Sequence, residues 1–155
     1  MINPQEPEHE YVLAEHSNEA LRIVLRNGMV YKHLRGHDCF RDSTPEKRLR
    51  QLRLRVAESQ RWPELNPMTF DEETNCIVSP FVEGRVPLRS ELFALRETFQ
   101  ATGRGYIEDI GRSNVLMVDD RPVMVDFVIN ESHPDFHLRY GCDVQASPSI
   151  AERNN

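Results

Sequence analysis

The sequence predicts an α+β fold, and three observations carry that expectation. Asn27-Gly28 separates two β-rich runs, Leu21–Arg26 and Met29–Leu34, and a two-residue type I′ turn needs positive φ twice, which Asn-Gly supplies at low cost. Two other segments show helical spacing of apolar residues: Leu49, Leu52 and Val56 in one, and Leu92, Leu95 and Phe99 in the other. Further short apolar runs bounded by turn residues lie between and after them, so strands and helices are interleaved.

Taken in order, Tyr11–Glu15 reads as a short strand followed by a turn at His16-Ser17-Asn18, and then comes the Asn-Gly hairpin. Ser43-Thr44-Pro45-Glu46 opens a helix running to about Gln60, with a hydroxyl cap, proline in the first turn and an acid near the positive dipole end. Trp62-Pro63 stops it. Met68–Glu72 and Cys76–Val82 form a second strand pair, closed by Glu83-Gly84, and Ser90–Gln100 is the second helix. Last, Asn114–Phe127 holds two apolar runs around Asp119–Pro122, a tight hairpin. The expected order is β-β-β-α-β-β-α-loop-β-β.

At 155 residues, 39% hydrophobic and 28% charged, the chain has the composition of an ordinary soluble globular protein of one domain. We expect a domain over residues 10–142, with flexible ends at 1–9 and 143–155, where the sequence is polar and lacks periodicity. The acidic, proline-bearing amino terminus does not read as a signal peptide, and no apolar run approaches the length needed to cross a bilayer. Cys39, Cys76 and Cys142 are far apart and read as free thiols of a reducing compartment. A net charge of −6 disfavours nucleic acid as a partner. Of the cationic side chains only Lys32 and Lys47 are lysine.

The chemistry concentrates in Asp109-Ile-Gly-Arg-Ser-Asn114 and in Asp126-Phe127 beyond the hairpin. The hairpin returns the chain, so Asn114 at its entry and Asp126 at its exit are expected to be neighbours, both exposing oxygen ligands. Mg²⁺ takes one or two such protein oxygens and completes its octahedron with phosphate and water. Asp109, on the loop just before, is placed to receive a proton from an attacking hydroxyl.

This arrangement resembles the catalytic and metal-binding loops of the protein kinase-like superfamily: Asp-x₄-Asn, a hairpin, then Asp-Phe. The resemblance implies a two-lobed kinase-like fold, with a five-stranded amino-terminal antiparallel sheet plus one helix and a much reduced carboxy-terminal lobe. It implies ATP and Mg²⁺ as cofactors, Asp109 as the catalytic aspartate, and Asn114 and Asp126 as metal ligands. Lys32, in the third strand, matches the phosphate-binding lysine. That lysine pairs with a glutamate on the following helix; of Glu46 and Glu58, Glu46 is expected to flank the Leu49/Leu52/Val56 stripe and Glu58 to point away. Cys76–Gly84 looks like the fifth strand and hinge, with Ser79 lining the adenine pocket and the Pro80 carbonyl and Val82 N–H meeting the adenine edge.

The resemblance spans about residues 11–129, with departures. His16-Ser17-Asn18-Glu19 replaces a glycine-rich loop, Ile107 stands where the family has histidine, Val128 replaces the glycine after Asp-Phe, and the second lobe is short. The pattern is similar to small bacterial effector kinases, which implies a cytoplasmic site of action, including delivery into another cell's cytosol. The expected function is ATP-dependent transfer of phosphate to a hydroxyl of a protein or small molecule; the alternative is a catalytically impaired kinase-like binding module acting through its basic helix. Lys47, Arg48, Arg50, Arg53 and Arg55 make the first helix basic, either as a solvated face or as a docking surface for an acidic protein partner. His133, Asp135, His137 and Cys142 read as polar tail residues rather than a zinc site.

Overall fold

The computed structural model describes residues 10–17, 19–36 and 44–145, with side chains described to residue 141. Cys39, Ser43, Asn18 and both chain ends, 1–9 and 146–155, lie outside the described residues. Among the described residues the architecture is mixed α+β, with three helices, one five-stranded antiparallel sheet and two small two-stranded sheets. The chain divides into two compact units, Met1–Gly84 and Arg85–Asn155.

The first unit holds β1 (Glu10–Glu15), β2 (Ala20–Arg26), β3 (Met29–Leu34), α1 (Pro45–Ser59), β4 (Thr69–Asp71) and β5 (Cys76–Pro80). The sheet order is β1-β2-β3-β5-β4, antiparallel throughout, so the helix lies between the third and fourth strands in sequence while β5 pairs with β3 in space. The β2–β3 turn is as expected: Asn27 and Gly28 have φ of 52° and 74°, both in the region that type I′ demands. Thr44 caps α1 by accepting a 3.2 Å hydrogen bond from Lys47 N–H through Oγ1, and Pro45 begins the helix, where its missing N–H costs nothing.

The buried face of α1 departs from the expected apolar stripe. Leu52, Arg55, Glu58 and Ser59 are its buried residues, whereas Leu49 and Val56 are half-buried. Ser59 joins the helix end to the β4 approach, donating to the Val56 carbonyl at 2.7 Å and accepting from Met68 N–H at 3.0 Å. Around it Ala20, Val24, Leu34, Leu65, Met68, Cys76 and Ile77 complete the core of this unit. Burial pushes the Cys76 thiol above its ordinary value, which suits an inert core cysteine.

The second unit holds α2 (Arg89–Ala101), β6 (Ile107–Glu108), β7 (Val115–Val118), β8 (Arg121–Met124), β9 (Val128–Ile129) and α3 (Pro134–Gln145). As expected, α2 buries Leu92, Leu95 and Phe99. Glu91 organises its start: Oε1 accepts from Leu88 N–H at 2.7 Å, and both carboxylate oxygens take the Arg85 guanidinium at 2.7 Å. Those bonds, the Arg85 pair before the cap contact, hold the Glu91 carboxyl down at about 2.

β6, β9 and α3 go beyond what the sequence predicts. Ile107 pairs with Ile129 and Glu108 with Val128, so Ile107 and Val128 join Ile129 as the three β-branched residues of a two-rung ladder. The polar segment read as a tail is helical as far as Gln145 and is anchored by Phe136, which is fully buried. Phe136 stands edge-on to Tyr106, with ring centroids 5.8 Å apart, and stacks on Tyr140 at 4.7 Å.

Candidate active site

In the second unit the local hydrogen bonds assemble Asp109, Asn114 and Asp126. Asp109 follows β6 directly and Phe127 precedes β9 directly, so the Glu108–Val128 pair brings the two loops side by side. Asn114 ties the knot: Nδ2 donates to the Asp109 carbonyl at 2.9 Å, and its own carbonyl accepts from Val125 N–H at 2.8 Å. The second bond continues the β7–β8 register beyond Val115–Met124, which sets Asp126 one residue past the partner of Asn114. Asp126 is half-buried, and Oδ1 accepts from Phe127 N–H at 2.9 Å. Phe127 is fully buried and anchors that corner.

Asp109 itself is exposed and has φ of 72°. Aspartate tolerates the left-handed region better than most residues, and such conformations concentrate at functional loops. Beside it opens a cleft of about 440 Å³ lined by Arg96, Gln100, Gly105, Glu108, Ile110 and His133. Three of these are fixed by bonds: Arg96 Nη2 donates to the Ile110 carbonyl at 2.8 Å, Asn130 Nδ2 donates to Glu108 Oε2 at 2.8 Å, and Asp135 N–H donates to His133 Nδ1 at 3.0 Å. The last bond leaves the His133 ring to carry its proton on Nε2. Gly105 lets the main chain approach this corner closely, because a Cβ at that position would stand 2.6 Å from His133 Cε1 and 2.9 Å from Asp135 Oδ2 and those side chains would have to shift. Gly105 N–H donates to that same Oδ2 at 2.9 Å. Sequence reasoning missed the cleft residues of α2; the signal at His133 and Asp135 was their place beside Pro134, a helix-initiating proline.

The remaining expected site residues lie in the first unit. Lys32 sits at mid-β3 opposite Ile77, and Val30 lies opposite Ser79 on β5. The Pro80 carbonyl accepts from Asn66 Nδ2 at 2.9 Å, and Val82 follows at a half-buried position. Asn66 is buried, so it holds the strand end whose carbonyl was expected to meet adenine and leaves that oxygen a second lone pair.

Lys32 is paired with Glu19. Lys32 Nζ donates to Glu19 Oε2 at 3.0 Å, and Arg55 Nη1 donates to Glu19 Oε1 at 2.7 Å. The helix-face expectation for the two glutamates is reversed: Glu46 is exposed in the first turn of α1, and Glu58 is fully buried, with Arg61 Nη1 3.7 Å from its Oε2. The apolar stripe misled because it omitted Arg55, which marks the true inner face. Helical spacing places Glu58 three residues on from it.

Burial pushes the Glu19 carboxyl up, but the Arg55 guanidinium and the Lys32 ammonium outweigh burial and hold it at about 2 instead of 4.5. A depressed folded value makes the stabilisation complete above the unfolded value and lost as pH falls through the folded one. Glu19→Gln is therefore expected to cost about 3 kcal/mol in urea unfolding at neutral pH. More than half of that difference should be gone by about pH 3. A cost independent of pH would contradict the ion-pair account.

The basic helix is less free than its sequence suggests. Arg55 is buried, Arg48 Nη2 donates to the Arg35 carbonyl at 3.0 Å and to Asn75 Oδ1 at 2.6 Å, and Arg53 pairs with Glu72 at 2.7 Å. Among the described residues no three of histidine, cysteine, aspartate and glutamate group so as to hold a metal, and no helix is long and apolar enough to cross a membrane. Cys142 of the late cluster lies outside the described side chains. No family model, no curated protein and no solved structure matches this chain.

Proposed function

We propose that the protein is an ATP-dependent phosphotransferase of kinase-like, two-lobed fold, moving the γ-phosphate of Mg·ATP to a hydroxyl. One observation carries the proposal: the bond from Asn114 Nδ2 to the Asp109 carbonyl, in a loop whose hairpin returns Asp126 to the same end. An antiparallel five-stranded sheet with a single helix between its third and fourth strands supports the fold.

The donor set fits a magnesium nucleotide. Asn114 spends its amide N–H on Asp109 and keeps Oδ1 as a ligand oxygen, and Asp126 adds a carboxylate, within the one or two protein oxygens Mg²⁺ takes. When bound, the ion neutralises β- and γ-phosphate oxygens. Asp109, exposed beside the cleft, accepts the proton of the incoming hydroxyl as its oxygen bonds to the γ-phosphorus and the bond to the bridging oxygen breaks, releasing ADP. In the first unit, Lys32 is the residue that the kinase-like resemblance assigns to the phosphates. The acceptor enters by the cleft, whose Arg96, Gln100 and His133 supply donors and Glu108 an acceptor.

The test is thermal. Mg·ATP should raise the melting temperature of the wild type through native-state binding, and Asp126→Ala should remove the shift. An equal shift in the variant sinks the metal assignment. One observation favours the alternative of a non-catalytic kinase-like module, namely that Glu19 already holds Lys32. ATP binding without transfer to any component of a cell lysate would decide for that module.

A further inference from the structure

We propose that the cleft beside Asp109 binds a small zwitterion, a free hydroxyamino acid, with Arg96 on its carboxylate and Glu108 on its ammonium. The role of that ligand as phosphate acceptor rests on the phosphotransferase function; the binding site itself does not.

Three side chains of the cleft are each held at one atom and open at another. Arg96 spends Nη2 on the Ile110 carbonyl at 2.8 Å and keeps Nη1 and Nε as donors. Glu108 Oε2 accepts from Asn130 Nδ2 at 2.8 Å, and Oε1 remains as an acceptor. His133 Nδ1 accepts from Asp135 N–H at 3.0 Å, and the proton on Nε2 remains to be donated. Such anchoring restricts the rotamers before a ligand arrives, so less conformational freedom is lost on binding. The three residues come from α2, from β6 and from the position before α3, yet they line one cleft of about 440 Å³.

The charges define the ligand. Among the described residues Arg96 makes no ion pair with Glu108 or Asp109, although all three line the same cleft. A purely anionic ligand would satisfy Arg96 and meet two carboxylates, and a purely cationic one would meet the guanidinium. A molecule carrying both charges complements both signs at once. Arg96 and Gln100, four residues apart on one face of α2, offer donors to its carboxylate together with His133 Nε2–H. Glu108 Oε1 takes the ammonium. Ile110 is the lone apolar side chain among the described lining residues, so a long hydrocarbon chain finds little to pack on. Asp109 is left for the hydroxyl. In the phosphotransferase reading that oxygen bonds to the γ-phosphorus, its proton passes to Asp109, and the bond to the bridging oxygen breaks to release ADP and the O-phospho amino acid.

L-serine is the probe, followed through the backbone amide spectrum of the whole chain without nucleotide. Ethanolamine, which keeps the ammonium and hydroxyl, and 3-hydroxypropionate, which keeps the carboxylate and hydroxyl, are measured beside it. Serine is expected to shift the amides of Gly105, Glu108, Asp109 and Ile110. It should bind about tenfold or more tightly than either analogue, the usual worth of a hydrogen bond to a charged group. Arg96→Gln should bring serine down to the level of ethanolamine, and Glu108→Gln to that of 3-hydroxypropionate. No serine shifts in the cleft, an analogue that binds as tightly as serine, or a preference that survives both substitutions overturns the proposal. If a variant does not fold, the analogue comparison on the wild type decides alone. Serine bound in this pattern but not phosphorylated by Mg·ATP keeps the site and removes its acceptor role. Transfer to a lysate component without serine binding keeps the phosphotransferase function and overturns the site.

Discussion

Asp109→Asn should lower phosphate transfer by about 10²–10⁴-fold, the usual share of a positioned general base, and leave Mg·ATP binding nearly intact. The separation follows from the contacts. Asp109 offers Asn114 its main-chain carbonyl, at 2.9 Å, and its carboxylate is not needed for that bond. Asparagine also accepts the φ of 72° that this position imposes, so the loop should keep its shape. The change removes a proton acceptor and little else. Initial rates with γ-labelled ATP in lysate, beside the melting shift given by Mg·ATP, check both halves. A loss of binding as large as the loss of rate would show that Asp109 belongs to the nucleotide site and not to the acceptor.

Phe136→Ala should destabilise the protein by about 3–5 kcal/mol, the range for emptying a fully buried aromatic site. Phe136 has no exposed surface and meets Tyr106 edge-on and Tyr140 face to face, contacts that add to the cavity cost. The effect should reach the site. Phe136 adjoins Asp135, whose carboxylate receives Gly105 N–H at 2.9 Å, four residues before Asp109. Urea unfolding gives the stability, and transfer assayed well below the unfolding midpoint tells whether the Asp109 loop has loosened. A cost under about 1 kcal/mol, the size of an ordinary surface change, would mean that α3 is not the anchor its burial indicates.

The parts of the fold legible in the sequence are those set by local chemistry. Asn27-Gly28 announced its turn because few residues accept positive φ twice, and Thr44-Pro45 announced the start of α1 because cap and proline act within one turn. The Asp109/Asn114/Asp126 neighbourhood was legible for a related reason: a hairpin of known length brings its ends together whatever the rest of the chain does. What was not legible depends on distant partners. β6 and β9 have two residues each and no periodicity, and they exist only because Ile107 meets Ile129 across the hairpin. α3 buries Phe136 and Tyr106 together, a contact thirty positions apart in sequence that no window of residues displays. Arg55 defeated the apolar pattern because a charged residue turns inward when an opposite charge from another element waits there, and Glu58 follows one turn later on the same face. For Arg55 that charge is Glu19, supplied by the β1–β2 turn.

In the proposed function, Asn114 and Asp126 hold the metal of a bound nucleotide. The most direct measurement replaces Mg²⁺ with paramagnetic Mn²⁺ and follows the backbone amide spectrum of the labelled protein with and without ATP. With ATP present, the amides of Asn114, Asp126 and Phe127 should broaden first and most, and Asp126→Ala should abolish the effect. Broadening centred instead on His133 and Asp135, or none that depends on ATP, would contradict that assignment.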